Sequence, residues 1–165
     1  MSGPAPAKKP VPQRVRPARG VRLAGTGSCL PDKRLTNADL ERMMDTSDEW
    51  IVQRTGIRER RIIDPAKGEG ATWLCATALR RAIANAGIAP TDLDMVIVAT
   101  VSMEMTCPST SCRVAEQVGC GKAGAVDLTA ACCGFVYGMN FAHDLVKGGS
   151  YKTVAVIGCD VLTPL

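Results

Sequence analysis

Aromatic residues are scarce in this chain, which holds two each of Trp, Tyr and Phe and a single histidine, His143. With so few rings the core has to be filled by aliphatic and small side chains, and Gly and Ala let helices lie close on a sheet. No segment approaches the ~20 apolar residues that a membrane span requires, and no apolar signal-peptide core is present. The expectation is a chain with no membrane span, placed in the cytoplasm. Without a secretory signal, the eight cysteines are expected to be free thiols in a reducing compartment. Cys107, Cys112 and Cys120 lack the paired C-x-x-C spacing of a structural zinc site, and one histidine is too few to help, so no metal is expected.

Acidic residues are missing from residues 1 to 20, "MSGPAPAKKPVPQRVRPARG", which carry Lys8, Lys9, Arg14, Arg16 and Arg19. The chain's formal charge of +4 therefore belongs to this tail, and the remaining 15 bases and 16 acids leave a net of −1. A nucleic-acid surface is not expected from that distribution. The tail holds half of the ten prolines and no apolar run, so it cannot bury enough surface to offset its ordering entropy and is expected to be disordered. Sparse serine and frequent proline argue against a transit peptide.

Beyond the tail, hydrophobic periodicity predicts alternating strands and helices. "GVRLAGTGSCLPD" reads as a short strand closed by a Gly-rich turn and Pro31. Thr36 with Asp39 three positions on predicts an N-cap, followed by a helix with Leu40, Met43 and Met44 on one face. Ser47, followed by Asp48 and Glu49, predicts a second helix that Gly56 terminates. "IRERRIID" alternates apolar and charged residues like an edge strand or a two-stranded excursion. Cys75, Leu79, Ala82, Ile83 and Ala86 recur at helical spacing up to Gly87. "DMVIVATV", residues 94 to 101, and "KTVAVIGCD" read as strands buried on both faces. Between them lie a helix opening at Pro108 to Thr110 and ending at Gly119, a strand in "AGAVDLT", and a helix in "CGFVYGMNFAHDLVKGG". The alternation predicts an α/β fold with a mostly parallel sheet. Residues 134 to 142, "GFVYGMNFA", are apolar nearly all round, whereas a helix lying outside a sheet needs one apolar stripe. Something is expected on the second face of that helix, as in half of a larger fold.

Several motifs invite chemistry. "GTGSCL" has the G-x-G of a dinucleotide loop, but Leu30 and Pro31 follow and no helix opens there to hold a pyrophosphate, so a tight structural turn is expected. Cys132 is placed where a strand ends near Thr129 and a helix begins, at the positive end of the macrodipole. That field favours a negatively charged sulfur, the nucleophilic form, and free N–H groups there suit the oxyanion of an attacked thioester. Ala130, Ala131 and Gly134 keep the corner narrow; the competing reading is a buried core cysteine. Adjacent helical residues diverge by about 100°, so Cys133 points elsewhere and is read as packing. His143 lies ~16 Å of helix from Cys132 and shares a polar stripe with Asn140, Asp144 and Lys147, which makes it a surface residue. In "TSDEWIVQRTGIRERR", Trp50 and Arg54 fall one helical turn apart, ahead of Thr55. An indole beside a guanidinium offers a platform for a purine with phosphates, although the same spacing equally suits a half-buried Trp and an Arg in a surface ion pair.

At these residues the sequence resembles β-ketoacyl-acyl carrier protein synthase III, a condensing enzyme of the thiolase superfamily. Two blocks carry the likeness, "TNADLERMMDTSDEWIVQRTGIRERRI" and "PSTSCRVAEQVG...AVDLTAACCGFVYG". The first is more discriminating, because thiolases and elongating synthases share the cysteine corner but not "TSDEW" with "TGIRER". The likeness runs from about Val21 to Leu165 and covers the N-terminal half of such an enzyme. It implies a thiolase-like fold for a domain at 21–165, two similar halves, a homodimer, and a nucleophile-bearing helix in a central layer. It implies that Cys132 accepts an acyl group from acyl-coenzyme A, and that malonyl-acyl carrier protein, once decarboxylated, attacks the thioester. Coenzyme A is then a substrate and no cofactor is implied. Trp50 matches the tryptophan that stacks on the adenine of coenzyme A, with Thr46, Arg54 and Thr55 in the same site.

Two departures stand out. Cys107 occupies the place where many relatives carry a Phe that projects across the dimer to floor the acyl pocket, which implies room for a primer longer or more branched than acetyl. Cys133 replaces a small residue after the nucleophile. The His and Asn that stabilise the decarboxylation enolate belong to the second half, so condensation by this chain alone is not expected. Two other readings stay open: a superfamily synthase of polyketide or long-chain condensation, and a catalytically inactive fragment.

Overall fold

The structure, a computed structural model, describes residues 20–163; the segment expected to be disordered, apart from Gly20, lies outside the described residues. Its centre is a parallel sheet of β3 (Met95–Ala99), β4 (Gly124–Leu128) and β5 (Val154–Gly158), in the order β4-β3-β5. Met95 aligns with Gly124 on one side and with Val154 on the other. The connections are the helices α4 (Thr110–Val118) and α5 (Gly134–Lys147), as parallel neighbours require. Ahead of β3 runs α3 (Ala71–Ala86).

Strand alternation sorts the two faces of the sheet. Val96, Val98 and Ile157 point to one side, where Cys75, Leu79 and Ile83 of α3 and Val114 of α4 close the core. Val96, Val98 and Val114 are fully buried, and the 16-residue α3 contributes a stripe of seven buried positions. Burying side chains of that size stabilises by ~1.5–3 kcal/mol each. On the other side, Ile97, Ala99 and Val156 meet α5, which approaches through Gly134, Gly138 and Ala142. A Cβ on Gly138 would stand 2.9 Å from Val156 Cγ1, and one on Gly134 would stand 3.0 Å from Ala99 Cβ. The glycines thus set how closely the helix lies on the sheet. Phe135 lies over Gly158 of β5 but stays half exposed, and the other larger residues, Val136, Tyr137, Met139 and Phe141, are exposed as well. The all-round apolar character of this helix therefore corresponds to a bare second face among the described residues.

A smaller unit precedes the sheet. β1 (Arg34–Thr36) and β2 (Glu59–Arg61) pair antiparallel, with α1 (Asn37–Glu41) and α2 (Asp48–Thr55) between them. The expected caps form as read: Thr36 and Asp39 make a capping box, Ser47 accepts from Trp50 N, and Gly56 ends α2 at φ 72°.

Three expectations are corrected. Residues 20–30 form no strand; they cross α3, where Gly25 and Gly27 bring backbone against Ala82, Ala86 and Ala78 with no room for a Cβ. The G-x-G spacing thus serves close approach to a helix, not a turn. Thr26 N donates to Asn85 Oδ1 and Arg81 to the Ser28 carbonyl, which holds this crossing in place. β5 is an edge strand with only Ile157 buried, not a strand covered on both sides. Finally, α1 stops at Glu41, so Met43 and Met44 lie exposed in the following turn.

Candidate active site

Because β4, β3 and β5 are parallel, the segments leaving them gather at one end of the sheet, where ligands of open α/β sheets bind. The segment leaving β4 passes Thr129 and Ala130, makes a 3-10 turn over Ala131–Cys133 and enters α5 at Gly134. Helix α5 thus begins two residues beyond the expected start at Cys132, which sits in the turn ahead of it. Ala131 has φ 46°, the only positive φ at a non-glycine among the described residues. Such a conformation costs roughly 1–2 kcal/mol, and it falls at the residue immediately before Cys132. Cys132 is exposed. No side chain caps α5; the turn ahead of it supplies backbone acceptors instead, with Cys133 N donating to the Ala130 carbonyl and Gly134 N to the Ala131 carbonyl.

The loop leaving β3 lies beside this corner. Thr100 N donates to the Leu128 carbonyl at 3.2 Å, and Thr129 Oγ1 to the Thr100 carbonyl at 3.4 Å. The segment after β5 fastens the same loop: Val101 N donates to Asp160 Oδ1 and Val161 N to Ser102 Oγ. Farther along, Glu104 accepts from Thr72 N at 3.2 Å and Thr72 Oγ1 at 2.7 Å, and pairs with Arg113 of α4. Burial alone would push the Glu104 carboxyl up, but the Thr72 bonds and Arg113 outweigh it and hold it below the usual carboxylate range. Cys107 follows, exposed, joined to Pro108 by a cis peptide bond. The next helix, α4, is capped by Ser109 and by Asp127 of β4, whose carboxylate accepts from Thr110 N and Ser111 N.

Trp50 and Arg54 stand on the outer face of α2. The Arg54 guanidinium lies 5.7 Å from the centroid of the Trp50 ring, within cation–π range. Trp50 is 55% exposed, so this platform is open to solvent. Thr55 Oγ1 turns back to the Ile51 carbonyl at 2.7 Å and accepts from Ile57 N, while Thr46 is half-buried ahead of α2. The unit is tied together by Asn37, 2% exposed. Its amide donates to Asp48 Oδ1 and the Ile57 carbonyl, and its oxygen accepts from Arg60. One buried side chain therefore grips both ends of α2 and the neighbouring strand.

The structure brings Cys107 and Cys132 to adjacent loops at one end of the sheet. No hydrogen bond or ion pair among the described residues joins α2 directly to the Cys132 corner. The link is longer: the segment after β5 that fastens the β3 loop continues to Thr163, whose hydroxyl donates to the Arg61 carbonyl of β2 at 3.4 Å. Cys133 is exposed at the N-cap of α5 rather than packed. His143 is on the surface, with Nδ1 3.0 Å from Asp144 Oδ1. Among the described residues no cluster resembles a metal site, and no helix is long and apolar enough to cross a membrane. Sequence reasoning missed Glu104, Asp127 and Ala131. The first two act across 16 or more residues and leave no local pattern, and an alanine carries no sign of a positive φ.

Comparison with known proteins places this arrangement. The family model for 3-oxoacyl-[acyl-carrier-protein] synthase III matches residues 126–165, the stretch that contains the Cys132 corner. The β-ketoacyl-[acyl-carrier-protein] synthase III of Caldanaerobacter subterraneus subsp. tengcongensis is 49% identical over 87% of this chain and 43% of its own length. Among solved structures, the 3-oxoacyl-[acyl-carrier-protein] synthase III of Aquifex aeolicus superposes with TM-score 0.84 at 42% identity, covering 87% of this chain and 46% of that one. The priming β-ketosynthase of the R1128 polyketide pathway superposes with TM-score 0.87 at 36% identity, covering 92% of this chain and 45% of that one. The chain thus spans less than half the length of the curated relatives it matches. With its parallel sheet, its cysteine corner and these likenesses, the chain has a thiolase-like α/β fold and matches less than half the length of β-ketoacyl-[acyl-carrier-protein] synthase III proteins.

Proposed function

We propose that this chain, as a domain at 21–165, is the N-terminal half of a β-ketoacyl-acyl carrier protein synthase III and carries its acyl-accepting nucleophile. The observation that supports this most directly is an exposed Cys132 in the turn that leads from β4 into α5. In the first step Cys132 Sγ attacks the carbonyl of acyl-coenzyme A. A new Sγ–C bond forms, the bond to the coenzyme A sulfur breaks, and coenzyme A leaves as thiol with the proton from Cys132. The positive end of the α5 dipole, just beyond Cys132, suits the oxyanion of that step. The adenine of coenzyme A stacks on Trp50 beside Arg54, with Thr46 and Thr55 on the same unit, and Cys107 lines the acyl pocket.

In the second step malonyl-acyl carrier protein loses CO2, and the carbanion attacks the acyl-Cys132 thioester, breaking the Sγ–C bond to give the β-ketoacyl product and the Cys132 thiolate, which takes a proton from water. The enolate needs a His and an Asn from a second half, because His143 faces away from Cys132 on the surface of α5. The exposed apolar residues of α5, among them Val136, Tyr137 and Phe141, are suited to packing by that half. The working enzyme is a cytoplasmic homodimer with no cofactor beyond its coenzyme A substrate. The likeness to a polyketide priming ketosynthase supports a second reading, condensation for a polyketide pathway; comparing fatty-acid and polyketide carrier proteins as acceptors separates the two.

Intact-mass analysis after treatment with acetyl-coenzyme A tests the assignment, with Cys132→Ala as control. An adduct on the native chain and none on the variant is expected. No adduct at Cys132, either in the chain alone or with the C-terminal half of the Caldanaerobacter relative added, overturns the synthase reading in favour of an inactive fragment.

A further inference from the structure

We propose that Glu104 is a positioning residue for the acyl pocket: it clamps the loop that carries Cys107 against the first turn of α3 and so fixes the pocket floor. The inference rests on the acyl-pocket role proposed above for Cys107. Helix α3 has no cap of its own, because its N-cap is Gly70 and no side chain of that turn accepts its N–H groups. Glu104 supplies the acceptor from 32 residues away, taking both the N–H and the hydroxyl of Thr72, which is 2% exposed. A side chain at position 70 would collide with Glu104 Oε1, so the bare glycine is the complement of this carboxylate. Arg113 of α4 holds the other flank of the same group. One side chain therefore joins α3, α4 and the loop between β3 and α4.

The consequence for Cys107 follows from the spacing of the anchors. Ser102 is fastened to Val161, and Ser109 caps α4. Among the described residues no hydrogen bond or ion pair restrains Met105, Thr106, Cys107 or Pro108 beyond the connection to these anchors. With Glu104 clamped, the free run between anchors is those four residues, with a reach of about 14 Å; without it the run lengthens to six residues, 103 to 108, and about 20 Å. A floor on the longer tether samples a larger volume, and the pocket then loses its preference among acyl chains of different length.

The test compares the native chain with Glu104→Ala, Glu104→Gln and Cys107→Phe, adding the C-terminal half of the Caldanaerobacter relative wherever acylation requires it. Two quantities are read: hydrogen exchange of the Thr72 amide, which donates to Glu104, and the ratio of Cys132 acylation rates from octanoyl- and acetyl-coenzyme A. Glu104→Ala is expected to raise exchange at Thr72 by about tenfold or more, as loss of a charged hydrogen bond implies, with protection in β3 and β5 unchanged. The acyl ratio is expected to move toward unity, and Glu104→Gln, which keeps an acceptor for Thr72, to recover part of both. If Glu104→Ala does not fold, Glu104→Gln carries the same two readouts. Unchanged exchange at Thr72 overturns the clamp. A ratio that moves in Cys107→Phe but not in the Glu104 variants overturns the positioning role while leaving the Cys107 reading intact. A ratio unmoved by Cys107→Phe removes the pocket reading and this proposal with it.

Discussion

Replacing Gly138 by alanine sets two effects of similar size against each other. Alanine in a helix interior is favoured over glycine by ~1 kcal/mol. The new Cβ, however, would stand 2.9 Å from Val156 Cγ1, with Ile97 Cγ2 at 3.7 Å and Leu128 Cδ2 at 3.9 Å. Relaxed carbon contacts lie near ~3.5–4.0 Å, so the pair has to separate by at least about 0.6 Å. Val156 is β-branched and held in one rotamer, so it does not swing aside and the helix has to lift. Overpacking of this kind costs ~1–3 kcal/mol. The net expectation is a loss of about 1 kcal/mol, or a Tm lower by about 3 °C for a domain of this size. Urea unfolding measures it, with exposed Asn140→Ala on the same helix as a control that gains a few tenths of a kcal/mol. Adding Val156→Ala to Gly138→Ala should recover about 1 kcal/mol relative to additivity, because it removes the first atom struck. A Gly138→Ala chain more stable than the native one, or additive with Val156→Ala, would refute the close-contact account of α5.

Asp127→Ala removes the acceptor of two N–H bonds at the start of α4; at ~1.5–3 kcal/mol for a bond to a charged group, a loss of at least about 2 kcal/mol is expected. Asp127→Asn should lose less, and hydrogen exchange at 110–111 reports both. The Asp94 carboxyl is held below its ordinary value by bonds from Thr153 N and Lys152 N. Its stabilisation is therefore complete above the unfolded value of ~3.9 and fades as pH falls through the lower folded value. Asp94→Asn should flatten the stability–pH profile only below about pH 4, as chemical denaturation at stepped pH will show. Trp50→Ala should weaken coenzyme A binding about tenfold, the scale of one base stacked on an indole. Calorimetry reads this directly, and an unchanged Kd removes Trp50 from the site.

Elements that carry their own signals were readable from the sequence. The α3 periodicity and its Gly87 stop, the Thr36–Asp39 box and the Ser47 cap are local chemistry, and the structure has each in its expected place. The bare face of α5 was equally visible in "GFVYGMNFA", because a run apolar on every side reports two coverings before either is known. What failed depended on neighbours. "KTVAVIGCD" is as apolar as a central strand but lies at the edge of the described sheet, since composition reports the burial a strand is built for and not which neighbours are at hand. The 20–30 segment alternates like a strand, but its glycines answer to α3 and not to a sheet partner. At the site, the i, i+4 spacing foresaw the Trp50–Arg54 contact, and the strand–helix corner foresaw the exposure of Cys132. The bonds that hold the Cys107 loop come from residues 72 and 160 as well as from nearby Arg113, and the first two lie outside any window centred on that loop.

Remote carboxylates at the helix starts also impose an order of events as the chain is synthesised. The first turn of α3 emerges more than 30 residues before Glu104, and that of α4 well before Asp127, so each leaves the ribosome with its final acceptor still unmade. Asp94 likewise waits for Lys152 and Thr153 to close the opposite end of the sheet. Early helices are therefore provisional: α3 is secured once Glu104 has emerged, and α4 once Asp127 has.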